Sequence, residues 1–199
     1  VNDLNGVEWK VSDVEKKERC RKPAAPFITS QLQQAAARKL GFGAKKTMVI
    51  AQRLYEGVDL GDLGTHGLIT YMRTDSVRID PGALTAVRDY IRTEYGRDYL
   101  PDEPCYYKSK KTAQDAHESI HPTSMEFSPE RIQKFLEKDD FRLYQLIWNC
   151  FVACQMNPAI YDLTGISLST RSKSGDAFIF RINGSVVRFA GFTKVYTES

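Results

Sequence analysis

The sequence predicts an α+β fold in which a helical middle is inserted between a strand-forming start and a strand-forming end. Three observations carry this. Residues 1–22 are polar and charged with one short strand signal; residues 27–157 carry helical periodicity and capping signals; residues 159–196 are rich in Ile, Val, Phe and Thr between polar turns. With 199 residues, 42% hydrophobic and 27% charged, the composition is that of an ordinary globular chain. Such a chain can bury roughly 70% of its unfolded surface and needs no disulfide or metal to do so. No apolar run approaches the ~18 residues of a membrane span, and no charged-then-apolar leader opens the chain. Membrane-spanning, collagen-like and disulfide-scaffold classes are therefore excluded. The first residue is Val1 rather than Met, as expected of an excised segment.

The elements are justified in order. A short strand is expected around Trp9 to Val14. Ser30 followed by Gln33 has capping-box spacing and opens a helix that Gly41 stops. A second helix fits Lys45 to Glu56, with Met48, Ala51, Leu54 and Tyr55 on one face, and Gly57 ends it. Leu68 to Met72 reads as an apolar strand. Two short helices, a Gly-containing turn, basic residues and a following strand together resemble a helix-turn-helix with a wing. Asp80-Pro81 is a cap with proline at the first helical position, and that third helix stops at Gly96. Ser128-Pro129 opens a fourth helix to about Lys138. A fifth runs from Asp139 or Asp140 to Gln155, its Leu143, Leu146, Ile147, Cys150, Phe151 and Cys154 forming one apolar stripe that belongs to a core. Strands follow at Ile160 to Thr170, Ala177 to Asn183 and Ser185 to Phe189. Gly175 and Asn183-Gly184 mark the turns, the latter a hairpin signal.

Charge is informative in its distribution rather than its sum. The net +3 is too small to imply a polyanionic partner, but Pro23 to Tyr55 contains no acidic residue while Arg38, Lys39, Lys45, Lys46 and Arg53 contribute +5. Such a field suits a phosphate backbone, and equally a solvated basic face. Cys20, Cys105, Cys150 and Cys154 lack the paired clusters of a zinc ribbon and read as small hydrophobes in a reducing compartment.

Two strings can carry chemistry. In Gly67-Leu68-Ile69-Thr70-Tyr71-Met72-Arg73-Thr74-Asp75-Ser76, strand alternation would put Ile69, Tyr71 and Arg73 on one face. A phenol near a guanidinium is what attack on a phosphodiester needs. The phenol, with an ordinary pKa near ~10, is a weak nucleophile unless a cation stabilises the developing charge, and arginine can fork two donors onto phosphate. A tyrosine on a strand is also ordinary packing, so spacing alone leaves both readings standing. The second string, His117-Glu118-Ser119-Ile120-His121-Pro122, matches the H-E-x-x-H zinc-peptidase pattern. Pro122 disfavours helix at His121, no apolar stripe precedes it and no third ligand follows. Zinc is set aside; His117 is read instead as a phosphate-binding or proton-shuttling group.

Pro26 to Gln33 (PFITSQLQ), Thr47 to Glu56 (TMVIAQRLYE), GLITYMRTDS, AHESIHPT and Phe151 to Met156 resemble, in this order and at these intervals, the bacterial type IA DNA topoisomerase I family. The resemblance covers most of residues 23–199 and only the middle of that enzyme. It implies that Tyr71 attacks DNA and becomes linked to its 5′ phosphate, and that Arg73 contacts the scissile phosphate. It implies that His117 helps bind DNA; Thr74, Asp75, Ser76 and Arg53 are further DNA-binding candidates. His121 stands where the family usually has arginine. The implied fold is a helical, winged-helix-like tyrosine domain at 27–157 inserted into a β-rich arch formed by 1–26 and 158–199. The implied activity is ATP-independent relaxation of negatively supercoiled DNA through a transient single-strand break, acting on single-stranded segments. The implied protein is a cytoplasmic, nucleoid-associated bacterial monomer without a membrane. Mg2+ would serve the full-length enzyme from an acidic domain outside this segment, whose D-x-D cluster does not occur here, so no metal site and no cofactor are expected within these residues. The segment alone is expected to bind single-stranded DNA weakly and to relax nothing. A non-catalytic winged-helix DNA-binding module is the alternative.

Overall fold

A computed structural model describes residues 2–108 and 117–197. The chain divides into two compact units, one of residues 1–22 with 158–191 and one of residues 23–157 with 192–199. The strand-forming start and end thus meet in one unit and the helical middle makes the other. Residues 23–26 and 192–199 join the helical unit, whereas the sequence predicts 1–26 and 158–199 together.

The first unit is a three-stranded antiparallel sheet in the order β1 (Lys10–Arg21), β4 (Ala159–Arg171), β5 (Ala177–Phe189). β1 is longer than the expected Trp9 to Val14, because its polar continuation Glu15 to Arg21 pairs in register with Gly165 back to Ala159; the one irregularity in the ladder is at Val11/Asp13. The turn at Gly175 forms with φ 96°. Asn183-Gly184 makes no turn: both residues lie inside β5, opposite Gly165 and Thr164. Asn183 Oδ1 lies 3.3 Å from where a Cβ on Gly165 would sit, so glycine at 165 leaves room for the Asn183 side chain across the ladder. Alternation places Val14, Ile166, Leu168, Phe180 and Ile182 on one face, with Trp9 edge-on to Phe180 at 4.9 Å.

The second unit packs α1 (Thr29–Leu40), α2 (Ala44–Glu56), α3 (Pro81–Glu94) and the one-turn α4 (Pro129–Ile132) against α5 (Lys138–Cys154). α1 starts one residue before the expected cap. Ile28 is the N-cap, and the Gln31 side chain reaches back to accept from its N–H at 3.4 Å. Gly41 closes the helix in the left-handed region, φ 72°, where its N–H reaches the Ala37 carbonyl. Asp80 caps α3 by accepting from the Gly82 N–H at 2.7 Å. α4 is one turn long and continues as a 3-10 turn over 133–135, short of the expected Lys138. The α5 stripe is buried as expected, joined by Tyr144 and Trp148, so this helix is wrapped on nearly all sides. The buried face of α2 is Thr47, Ile50, Ala51 and Leu54, whereas Tyr55 is 40% exposed.

The expected strand Leu68 to Met72 does not form. Only Ile69 makes a bridge, to Pro122, and the wing position is taken by a two-residue hairpin of β2 (Val58–Asp59) and β3 (Thr65–His66). Leu68 and Ile69 are both fully buried, which no half-exposed strand permits. Cys150 and Cys154 are buried as read; Cys20 is exposed on β1.

Candidate active site

The stretch from Leu68 to Arg78 is irregular backbone pinned from two sides. On one side, Thr29 at the start of α1 holds the residues flanking Arg73. Its hydroxyl lies 2.8 Å from the Met72 carbonyl and 3.0 Å from that of Thr74, and it accepts from the Thr74 N–H at 2.8 Å. The Thr29 N–H also donates to the Thr74 carbonyl at 3.0 Å. On the other side, Thr70 ties the stretch to residues 119–121. The Thr70 hydroxyl donates to the Ser119 carbonyl at 2.7 Å and accepts from the His121 N–H at 3.0 Å, while its own N–H donates to the His121 carbonyl at 2.9 Å. A third tie comes from α2. Leu68 N–H donates to the Leu54 carbonyl at 2.7 Å, and a Cβ on Gly67 would sit 2.6 Å from the Tyr55 carbonyl oxygen, so only glycine fits there.

From Tyr71 onward exposure alternates: Tyr71, Arg73 and Asp75 face out, while Met72, Thr74 and Ser76 are buried. Tyr71 and Arg73 are both exposed, but buried Ile69 does not join them. The reason is the change of local conformation at Thr70, whose side chain turns to the 119–121 segment. Arg73, Thr74 and Asp75 line an open cleft of about 550 Å³ with Ile28, Thr29, Ser30 and His117. Of Tyr71 and Arg73 only Arg73 lines the cleft; Tyr71 is beside it through its contact with His117, which its ring meets edge-on at 5.7 Å, and it meets Tyr55 at 5.4 Å. Among the described residues the Arg73 guanidinium has no ion pair and no hydrogen bond, so its five donors face solvent or a ligand. The first turn of α1 also opens on this cleft and adds the positive end of a helix dipole.

Other candidates lie differently. Ser76 is 3% exposed and its hydroxyl accepts from the Arg78 N–H, so it shapes the chain and does not line the cleft. Thr74 lines the cleft but its hydroxyl accepts from the Ser76 N–H. Arg53 stands apart from the cleft: its guanidinium clamps the carboxylate of buried Asp140 through Nε at 3.1 Å and through Nη2. That carboxylate holds the Arg53 pKa above its ordinary value. The basic stretch is largely consumed in the same way. Lys46 pairs with Asp139 at 2.5 Å, and Lys39 donates to the Thr197 carbonyl and lies over the Tyr196 ring. Arg38 and Lys45 make no ion pair among the described residues.

The H-E-x-x-H string is not helical. His121 is 2% exposed and stacks on Phe151 at 4.6 Å, with Nδ1 2.8 Å from the Pro122 carbonyl and Nε2 3.1 Å from the Glu118 carboxylate. Both ring nitrogens face acceptors, so neither is open to a metal. Among the described residues no three His, Cys, Asp or Glu side chains converge, so they do not fit a metal site. Nor is any helix among them long and apolar enough to cross a membrane. Sequence reasoning missed Thr29 and Thr70, the two clamps. A threonine immediately before a helix and another inside an apolar run were the available signals.

A family model described as DNA topoisomerase matches residues 1–199. The chain is 51% identical over 197 residues to DNA topoisomerase 1 of Rickettsia felis, covering 98% of this chain and 25% of that protein. It is 50% identical over 189 residues to DNA topoisomerase 1 of Xylella fastidiosa, covering 94% and 23%. The structure of full-length topoisomerase I from Thermotoga maritima superposes with a TM-score of 0.84 at 37% identity, over 100% of this chain and 31% of that one. The chain thus spans about a quarter of the length of the relatives it matches.

Proposed function

This chain belongs to the DNA topoisomerase family, and on that premise we propose that it is the strand-cleaving segment of an enzyme that relaxes negatively supercoiled DNA, with Tyr71 as the nucleophile. The observation that carries the reading is the pairing of an exposed phenol with an unpaired, outward-facing guanidinium two residues away, on backbone clamped by Thr29 and Thr70. The Tyr71 oxygen attacks phosphorus and loses its proton. The bond from phosphorus to the 3′ oxygen breaks, that oxygen takes a proton, and the 5′ phosphate remains on tyrosine. Religation is the reverse. One phosphodiester is exchanged for another, so the step needs no ATP. Arg73 forks onto the non-bridging oxygens as charge builds, and His117 with the first turn of α1 extends the phosphate-binding surface. Single-stranded segments of negatively supercoiled duplex are the substrate, because a phosphate backbone free of its partner strand can enter an open cleft of this size. Magnesium is held, on this reading, by residues outside this segment, and no step here runs through it. The three-stranded sheet is one part of a β-rich arch, the protein is a bacterial, cytoplasmic, nucleoid-associated monomer, and these 199 residues alone relax nothing.

The test is adduct mapping in the full-length enzyme. Trapped protein–DNA adducts should yield a nucleotide-bearing peptide containing Tyr71, and Tyr71→Phe should abolish cleavage while leaving DNA affinity and folding near normal, since an exposed hydroxyl adds little to stability. An adduct on Tyr55, Tyr90, Tyr106 or any other tyrosine ends the assignment.

A further inference from the structure

We propose that Tyr55 is a positioning residue for Tyr71, fixing the direction of its phenol through ring contact; the proposal rests on reading Tyr71 as the nucleophile. The hydrogen bonds of the clamps at Thr29 and Thr70 all go to backbone groups, and none of them reaches the Tyr71 side chain. That side chain is 40% exposed and its hydroxyl makes no hydrogen bond among the described residues. Its two torsions are therefore set by packing alone. Two rings do the packing, both edge-on: Tyr55 at 5.4 Å and 65°, and His117 at 5.7 Å and 62°.

The two neighbours arrive on separate elements. His117 comes on the segment that leads directly to Ser119, Ile120 and His121, each of which is bonded to the core backbone. Tyr55 comes on the last turn of α2, where the carbonyls of residues 54 and 55 abut Leu68 and Gly67. A shift of the helix end would carry the Tyr55 ring and the Leu68 tie together, so the ring and the backbone leading to Tyr71 move as one. Tyr55 is large, aromatic and 40% exposed on a helix face that contributes no other exposed aromatic, and Tyr71 is its only ring partner among the described residues. Core packing does not account for such a residue, and the contact with Tyr71 does. The role needs the ring of Tyr55 and not its hydroxyl, which also makes no hydrogen bond among the described residues. Edge-to-face pairs are worth enough to change a rotamer population several-fold.

The experiment uses the full-length enzyme and compares Tyr55→Leu, Tyr55→Phe and Tyr71→Phe. Single-turnover cleavage of single-stranded DNA and the Kd for the same strand are measured at matched distances below each variant's melting midpoint, so that loss of stability is not read as loss of positioning. Tyr55→Leu is expected to cut the cleavage rate roughly three- to tenfold with Kd within about twofold, and Tyr55→Phe to restore the rate. Parent-level cleavage by Tyr55→Leu overturns the proposal. So does an equal loss in Tyr55→Phe, which would assign the effect to the hydroxyl, and so does a rate loss matched by a loss of affinity, which would make Tyr55 a DNA contact. If Tyr71→Phe still cleaves, the underlying reading of Tyr71 fails instead, whatever the Tyr55 variants do.

Discussion

Replacing Gly67 by alanine tests the idea that close approach of two backbones sets the nucleophile's place. The added Cβ would lie 2.6 Å from the Tyr55 carbonyl oxygen, whereas contacts under 3.0 Å are essentially never seen for a real Cβ. Both partners are backbone, so no side chain can swing away, and the segment leading to Tyr71 must retreat from the end of α2 by several tenths of an ångström. The Leu68 N–H to Leu54 carbonyl bond, 2.7 Å long, bridges the same gap and is strained by that retreat. Loss of much of that bond is worth ~1 kcal/mol, and overpacking of this kind ~1–3 kcal/mol, giving about 2–4 kcal/mol in all. For a chain of this size that is a fall of roughly 5–15 °C in Tm. Because misplacement of a reacting group by 1 Å can cost ~100-fold in rate, a fraction of that shift should slow strand cleavage by about tenfold. Thermal unfolding of the 199-residue chain carrying Gly67→Ala checks the first number, and single-turnover cleavage by the full-length Gly67→Ala enzyme checks the second. An unchanged melting midpoint with an unchanged cleavage rate would refute the argument, since it would mean that the helix end and the Tyr71 segment are not in fixed register.

Three further outcomes are expected. Arg73→Lys keeps the charge but loses the planar fork, and should cost ~2–4 kcal/mol in the transition state, seen as a roughly 30- to 1000-fold slower cleavage step; near-normal cleavage would remove Arg73 from the chemistry. Arg53→Ala leaves the buried Asp140 carboxylate unpaired. Breaking a fully buried pair costs ~3–5 kcal/mol, but the Arg53 side chain is 48% exposed, so about 2 kcal/mol and a Tm fall of roughly 4–8 °C are expected, with DNA affinity unchanged. The reverse pattern, lost affinity at normal stability, would make Arg53 a phosphate contact. Burial pushes the Tyr90 phenol up to about 12. A raised folded-state pKa means its share of stability is intact below the ordinary value near ~10 and is lost as pH climbs from 10 to 12. Absorbance titration of the parent and of Tyr90→Phe should differ in that upper window, and identical curves would count against the burial of this ring beside Trp148.

What the sequence disclosed and what it hid follow physical lines. α5 was legible because its apolar stripe is long, and α3 because Asp80-Pro81 combines a cap with a residue that can only start a helix. Asn183-Gly184 misled because the hairpin preference of that dipeptide is local, whereas its neighbours Ile182 and Ser185 pair across the sheet with Ile166 and Leu163 in a ladder of twelve positions. Leu68 to Met72 misled for the opposite reason: the residues have strand propensity, but Leu68 and Ile69 are both buried and the ties at Leu68 and Thr70 replace a ladder. Within the candidate site, Tyr71, Arg73 and His117 were readable as residue types suited to phosphate chemistry. Arg53 was not separable from them, since nothing in sequence announces that Asp140, 87 positions away, will occupy its guanidinium. Thr29 and Thr70 were invisible as clamps because their work is done on backbone groups, whose partners exist only once the chain has folded.

The pairing of Arg21 with Ala159 has a kinetic consequence. These are the last rung of β1 and the first of β4, so zipping the two strands closes a loop of all the residues between them. Were that loop still a random coil, closing it would cost on the order of 4 kcal/mol in chain entropy before any rung returned a contact. A helical segment that has already condensed holds its own ends near one another and removes most of that penalty. The order of events should then run from the interior of the chain outward, with the helices gathering first around α5. The β4–β5 ribbon needs only the turn at Gly175 and can form at any time, while β1, made before β4 and β5, waits for its partner until the helices have brought it within reach.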